Sequence, residues 1–389
     1  MTFFTHDRDR DGIFVGRIWS PDVAGPSVVT IRDGTVVDIT SSGVPTVSDL
    51  CEQTDPPGYV RAAMGRSVGP LAEIAANRPG DISRPHFLAP CDLQAVKACG
   101  VTFASSMVER VIEEKAAGDP SRALEIRSRV GAAIGGSLRN IKAGSAEAAR
   151  VKEALKAEGL WSQYLEVGIG PDAEVFSKAQ ILSSVGPGAD VGLHPISKWN
   201  NPEPEIVLAV SSTGRIVGAA LGNDVNLRDV EGRSALLLSK AKDNNASCAI
   251  GPMIRLFDET FTLDDVRAAE LDLTVTGTDG FEMTGRSSMK EISRDPADLV
   301  GQTIGRHHQY PDGLMLFLGT MFAPVKDRDV PGEGFTHKIG DVVKISTPGL
   351  GHLRNTVRLA TDCAEWTFGP RALMRNLAAR GLIVGDGTV

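Results

Sequence analysis

The sequence predicts an α+β protein, mainly β, with a small β-containing N-terminal domain (residues 1–85), a larger domain (86–389) and a helical insertion (about 105–160) inside the second. Three observations predict it. Short β-branched runs face each other across turn residues in both halves, around Asp33 and Gly34 and again around 211–214. The run 314–318 is too apolar for an exposed strand and reads as core. Between them, residues 105–160 carry helical start and stop signals and are rich in alanine and charge. No period of 20 to 50 residues recurs.

Taken in order, residues 12–40 alternate as strands around turns, with Asp33 and Gly34 as the sharpest hairpin signal. Prolines and a glycine make 77–86 a linker. A short strand at 96–103 leads into a helix from Ser106, where Ser106 and Glu109 have capping-box spacing and Gly118 is the expected stop. Asp119 and Pro120 open a helical stretch to about 138, and another spans 145–160. Residues 161–191 turn to strands, including 175–178. After the hairpin 204–224 come amphipathic strands at 271–277 and 340–346. An amphipathic helix over 368–381, proline near its start and glycine after its end, closes the chain. His307 and His308 read as surface histidines.

Composition bounds the function. The 389 residues suffice for two domains, and 42% apolar with 23% charged residues is ordinary for a globular protein. A net charge of −8 argues against nucleic acid or an anionic membrane as partner. Five scattered cysteines without a Cys-x-x-Cys fit reduced thiols and a cytoplasmic setting. Residues 1–11 have no apolar core, and no apolar run approaches the length of a membrane span.

Chemistry concentrates in residues 202–242. Glu203 and Glu205 are two apart before a β-branched run, so they share a face if that run is a strand. The chain turns at 211–214 and returns to Asp224, near the pair. Three carboxylates in one place repel unless solvent or a cation relieves them. Oxygen ligands suit Mg²⁺, Mn²⁺ or Ca²⁺, and zinc is disfavoured for want of a neighbouring His or Cys. Spacing alone equally allows an exposed edge hairpin with solvated acids.

The Pro-Glu-Pro-Glu at 202–205, the Asn-Asp-Val-Asn-Leu-Arg-Asp at 223–229, and Lys242 followed by Gly251 and Pro252 resemble the fumarylacetoacetate hydrolase superfamily, from about residue 89 onward. The resemblance implies a mixed β-sheet roll or barrel core. It implies Glu203, Glu205 and Asp224 as metal ligands, Mg²⁺ first, with Lys242 and Arg228 at the site. Its Phe-x-Lys and Gly-Thr motifs fall on Lys178 and Thr320. Hydrolases of the superfamily carry a His-x-x-Glu dyad where this chain has Ser106 and Glu109, and a serine cannot serve as general base near neutral pH.

Longer patterns, such as Trp-Asn-Asn-Pro-Glu-Pro-Glu at 199–205 and Ser-Lys-Ala-Lys-Asp-Asn-Asn at 239–245, resemble the dehydratase branch that acts on 2-keto-3-deoxy-D-xylonate or D-arabinonate. That resemblance implies an Mg²⁺-dependent hydro-lyase converting 2-dehydro-3-deoxy-D-pentonate to 2,5-dioxopentanoate. Lys242 and Glu109 would share the acid and base roles, while Ser106, Lys178, Arg228 and Thr320 would bind the small 2-oxo sugar acid. The family's habit implies a homodimer or homotetramer. The rival readings are a hydrolase of 2,4-diketo acids and an inactive metal-stabilised binding subunit.

Overall fold

The computed structural model describes residues 3–4, 12–117, 119–122, 126, 141–157, 159, 161–322, 324, 326–331 and 334–383. Its strands are β1 (Phe14–Ser20), β2 (Gly25–Arg32), β3 (Thr35–Asp38), β4 (Arg66–Pro70), β5 (His86–Leu88), β6 (Ala95–Gly100), β7 (Glu174–Ala179) and β8 (Asp190–Leu193). They continue with β9 (Pro204–Val210), β10 (Ile216–Asp224), β11 (Cys248–Leu256), β12 (Glu270–Thr276), β13 (Glu282–Ser288), β14 (Leu314–Phe317), β15 (Val342–Thr347) and β16 (Gly351–Leu359). Eleven of these make one mixed sheet in the order β4-β3-β2-β1-β11-β10-β9-β14-β6-β7, with β5 beside β1. A five-stranded sheet runs β13-β12-β15-β16-β8. The architecture is α+β and mainly β, as the patterning predicts.

Local chemistry explains the hairpins. Asp33 (φ 48°) and Gly34 (φ 72°) both take the left-handed conformation that a two-residue loop between twisted strands requires. The β9–β10 hairpin turns at 211–214, where Gly214 has φ 83°. β9 is buried on both faces, which is why its sequence from Ile206 to Val210 is continuously apolar rather than alternating. Ile206, Leu208 and Val210 pack against Leu273, Val275 and Ile345 of the small sheet. Val207 and Ala209 face the other way, toward Val15, Val28, Val37 and Phe317. β14, buried throughout, lies between β9 and β6.

The sheet crosses the boundary expected at residues 85/86. β1 pairs with β11, Phe14 opposite Arg255 and Val15 opposite Ile254, so the N-terminal strands form a wing of the large sheet. The C-terminal helix Pro370–Ala379 straps this wing through buried Leu373 and Leu377, and Asn376 Nδ2 donates to Val23 O at 2.8 Å.

In the helical region, Ala104–Ala116, Ala146–Ala157 and Gln163–Ile169 enclose a cluster built on Met107, Val111, Ile112, Leu155, Leu165 and Trp199. The expectation that Ser106 caps the first of these helices is corrected. The helix starts at Ala104 with Phe103 before it, and Ser106 is its third residue. Phe103 is fully buried and bridges to Ile292, so core packing sets where the helix begins. Ser106 Oγ still serves the helix start, accepting from Phe103 N at 3.2 Å and donating to Phe103 O at 2.8 Å. Gly118 and most of the helical stretch expected over 119–138 lie outside the described residues. Among the described residues, no helix is long and apolar enough to cross a membrane, and all five cysteines are free and buried.

Candidate active site

The β9–β10 hairpin assembles the carboxylates. Gly222 lies opposite Glu205 in the ladder, and Asp224 N donates to Glu203 O at 3.0 Å. Two-residue alternation and this register therefore bring Glu203, Glu205 and Asp224 together, each with one oxygen within 4.8 Å of the others'. All three residues are at most 4% exposed.

Their partners divide unequally. Lys242 Nζ lies 2.5 Å from Glu203 Oε2 and 3.1 Å from Asp224 Oδ2. Lys178 Nζ sits 3.0 Å from Asp224 Oδ1. Glu205 meets no cation among the described residues, and its Oε2 accepts from Gly319 N at 2.7 Å. That amide is aimed by a left-handed φ of 88° at Gly319, where a Cβ would come within 2.1 Å of Thr102 Oγ1. Burial, then the charges of Asp224 and Glu203, push the Glu205 carboxyl well above the carboxylate range. Asp224 is held below it, because Lys178 and Lys242 outweigh burial. Burial favours the neutral amine at Lys242, but Asp224, Glu203 and Glu231 raise its proton affinity, so the group is an ammonium here.

Each expected site residue can now be located. Lys178 is fully buried behind Asp224, donates to the carbonyls of Val225 and Lys242, and does not line the cavity. Arg228 stacks 4.2 Å over Trp199, pairs with Glu113 at 2.7 Å and reaches Glu109 at 3.4 Å. Glu109 thus stands with Arg228, Phe322 and Pro324 in one small chamber. Lys242 and the three carboxylates line a second chamber. Ser106 and Thr320 border both.

Besides Glu113, the partner of Arg228, three charged groups at this site escaped the sequence reading. Glu174, at the start of β7, lines the second chamber, its carboxyl raised from an ordinary 4.5 to about 7, first by burial and then by Glu231. A Cβ on Gly100, its cross-strand partner, would fall 1.9 Å from Glu174 Oε2, so glycine there leaves the carboxyl its place. Alternation back from Lys178 through Phe176 would have found it. Arg110 binds Glu203 (2.7 Å), Glu113 (2.6 Å) and Glu231 (2.7 Å). Its signal was the four-residue helical spacing from Ser106. Glu231, at the end of the short helix Arg228–Glu231, is buried and raised, burial first.

Seven carboxyl side chains (Glu109, Glu113, Glu174, Glu203, Glu205, Asp224 and Glu231) therefore face four cationic ones (Arg110, Lys178, Arg228 and Lys242). The shortfall of positive charge, the cation-free Glu205 and the all-oxygen donor set fit a hard divalent ion held by Glu203, Glu205 and Asp224.

Comparison with known proteins agrees with this architecture. The fumarylacetoacetate (FAA) hydrolase C-terminal family model matches residues 141–358, more than half of the chain. A Haloferax volcanii protein named "probable 2-keto-3-deoxyxylonate dehydratase" is 26% identical over 328 residues, which is 84% of this chain and 93% of the relative. The 2-dehydro-3-deoxy-D-arabinonate dehydratase of Saccharolobus solfataricus is 28% identical over 185 residues, 48% of this chain and 58% of that one. Among solved structures, 2-keto-3-deoxy-D-arabinonate dehydratase complexed with magnesium and 2,5-dioxopentanoate superposes with a TM-score of 0.62 at 20% identity, covering 89% of this chain and 99% of the other. The roll-type mixed sheet is thus shared, and the chain belongs to the fumarylacetoacetate hydrolase family.

Proposed function

We propose that this chain is a divalent-metal-dependent hydro-lyase that dehydrates 2-dehydro-3-deoxy-D-pentonate to 2,5-dioxopentanoate, with Mg²⁺ as its ion and a homodimer or homotetramer as its working form. The observation that carries the reading is one chamber holding Glu203, Glu205, Asp224, Lys242 and Glu174. The names of the two dehydratase relatives support it.

An ion held by Glu203, Glu205 and Asp224 would supply Lewis acidity toward the carboxylate and keto oxygen of a 2-oxo acid, acidifying its C3 protons. With that ion drawing on Glu203 and Asp224, the carboxylates that keep it an ammonium, Lys242 has a lower proton affinity, and its neutral amine takes a proton from C3. Glu174, with a proton affinity near neutrality, hands its proton to the departing C4 hydroxyl, and water leaves. The unsaturated acid then passes a C5 proton to C3, which makes an enol, and the enol's hydroxyl proton moves to C4 to leave the aldehyde. Glu109, expected to share the acid and base roles with Lys242, pairs with Arg228 in the adjoining chamber, so we assign the acid role to Glu174, which lines the chamber of Lys242. Lys178 holds Asp224, and Thr320 and Arg228 line the adjoining chamber. The hydrolase reading is disfavoured because Ser106 is tied to the helix start and has no basic nitrogen to activate water.

The test is incubation with Mg²⁺ and synthetic 2-dehydro-3-deoxy-D-pentonate, reading the aldehyde as NAD⁺ reduction by a coupled semialdehyde dehydrogenase. A signal abolished by EDTA is expected. No signal, together with cleavage of a 2,4-diketo acid, would return the protein to the hydrolases.

A further inference from the structure

The two chambers share part of their lining. Both are lined by Ser106, Arg110, Glu203 and Thr320, and the Arg110 guanidinium binds Glu203 Oε1 from this shared lining. Each has a volume of about 20 Å³, little more than one water needs and far less than a five-carbon acid. A substrate therefore enters only when something moves.

Arg110 is the group with somewhere to go. Lys178 and Lys242 are clamped on the strand side, each at most 2% exposed and each bound to Asp224. Arg110 projects from the helix Ala104–Ala116 and has three anionic partners, of which Glu113 and Glu231 keep it paired when Glu203 is given up. Both oxygens of Glu203 are occupied, Oε1 by Arg110 and Oε2 by Lys242. A divalent ion at Glu203 would repel the adjacent guanidinium, and the planar fork of arginine is built to grip a carboxylate.

We propose that Arg110 is a substrate-binding residue that serves as the counter-ion of Glu203 while no metal is bound and passes to the carboxylate of the incoming 2-oxo acid when one is. The inference rests on the metal-dependent reading above. It makes metal and oxo acid bind cooperatively through one side chain, and it moves that side chain within the shared lining as part of the same event.

The test uses binding alone, with Mn²⁺ and 2-oxopentanoate, which has no C4 hydroxyl to lose. Calorimetry on the wild-type protein should give an oxo-acid affinity that rises on Mn²⁺ saturation. In Arg110→Met, Mn²⁺ without oxo acid should bind equally well or severalfold tighter, while 2-oxopentanoate on the Mn²⁺-loaded protein should bind about tenfold weaker or worse. Arg110→Lys, which keeps the charge without the fork, should fall between the two and guards against a Met variant that fails to fold. Weaker Mn²⁺ binding in folded Arg110→Met, or unchanged oxo-acid affinity in both variants, would overturn the proposal while leaving the dehydratase reading intact. A wild-type protein that takes up no Mn²⁺ would overturn both.

Discussion

The candidate site has two walls, and they are built on different physics. The strand wall carries Glu203, Glu205 and Asp224 on the β9–β10 hairpin, Glu174 and Lys178 on β7, and Lys242 on a short helix. Ladder hydrogen bonds set those positions, as in the pairing of Gly222 with Glu205. The helix wall carries Ser106, Glu109, Arg110 and Glu113, sits on its own apolar cluster, and meets the strand wall through ion pairs from Arg110 and Arg228. The difference teaches where each kind of task belongs. Groups that must hold a fixed geometry stand on hydrogen-bonded sheet, and groups that must admit a substrate are joined by side-chain contacts that can exchange.

The largest effects should come from the strand wall. Asp224→Asn should abolish metal-dependent turnover, a loss of roughly a thousandfold or more, because it removes one of three anionic ligands, unpairs Lys178 and leaves Lys242 with Glu203 alone. Lys242→Met should cost turnover comparably while still taking up Mn²⁺. Equal metal uptake and undiminished turnover in Lys242→Met would remove the lysine from the mechanism.

Next come the two rival acids, one on each wall. Glu174→Gln should lower kcat by about a hundredfold and Glu109→Gln by less than about tenfold. The pH profile discriminates further. An acid must be protonated to act, so the wild-type kcat should fall as pH rises through about 7, where Glu174 loses its proton. That limb should vanish in Glu174→Gln and persist in Glu109→Gln. The same raised group makes folding proton-linked: the native carboxyl binds a proton that the unfolded chain releases near 4.5, so stability should decline as pH rises from there toward 7. Reversed kcat losses would move the acid to the helix wall.

Gly100→Ala probes the same point indirectly. Its Cβ would displace the Glu174 carboxyl rather than backbone. We expect kcat to drop about tenfold while the melting temperature moves little, and a variant that loses stability without losing kcat would mean Glu174 simply rotates away.

The walls also differ in how far sequence could reveal them. Glu203, Glu205 and Asp224 were legible because strand alternation and one short hairpin are local rules. So was the buried strand β14, from its unbroken apolar run. Lys242 and Arg228 stood out only through the family resemblance, since their nearness to the acids depends on how the chain returns. Alternation along β7 puts Glu174 on the face of Phe176 and Lys178, but that this face meets the site depends on the pairing of β6 with β7, whose partners Gly100 and Glu174 are joined by a long helical excursion. Arg110 was overlooked because helical spacing names a face without saying what the face meets. The misplaced start of its helix has the same root, since the burial of Phe103 outweighed the local Ser-x-x-Glu signal.

The smallest expected effect tests the helix wall at its most sequence-like residue. Ser106 borders both chambers, which would suit a substrate contact. Its hydroxyl is nevertheless spent on the helix start, donating to Phe103 O and accepting from Phe103 N. Ser106→Ala should therefore cost about 1 kcal/mol of stability, the usual value of a helix-terminal side-chain bond, and leave kcat/KM within a few-fold of wild type. Thermal unfolding and initial rates measured on the same preparation separate the two roles. A hundredfold fall in kcat/KM at unchanged melting temperature would mean that the hydroxyl leaves the helix for the substrate, and the helix wall would then move as a unit rather than through Arg110 alone.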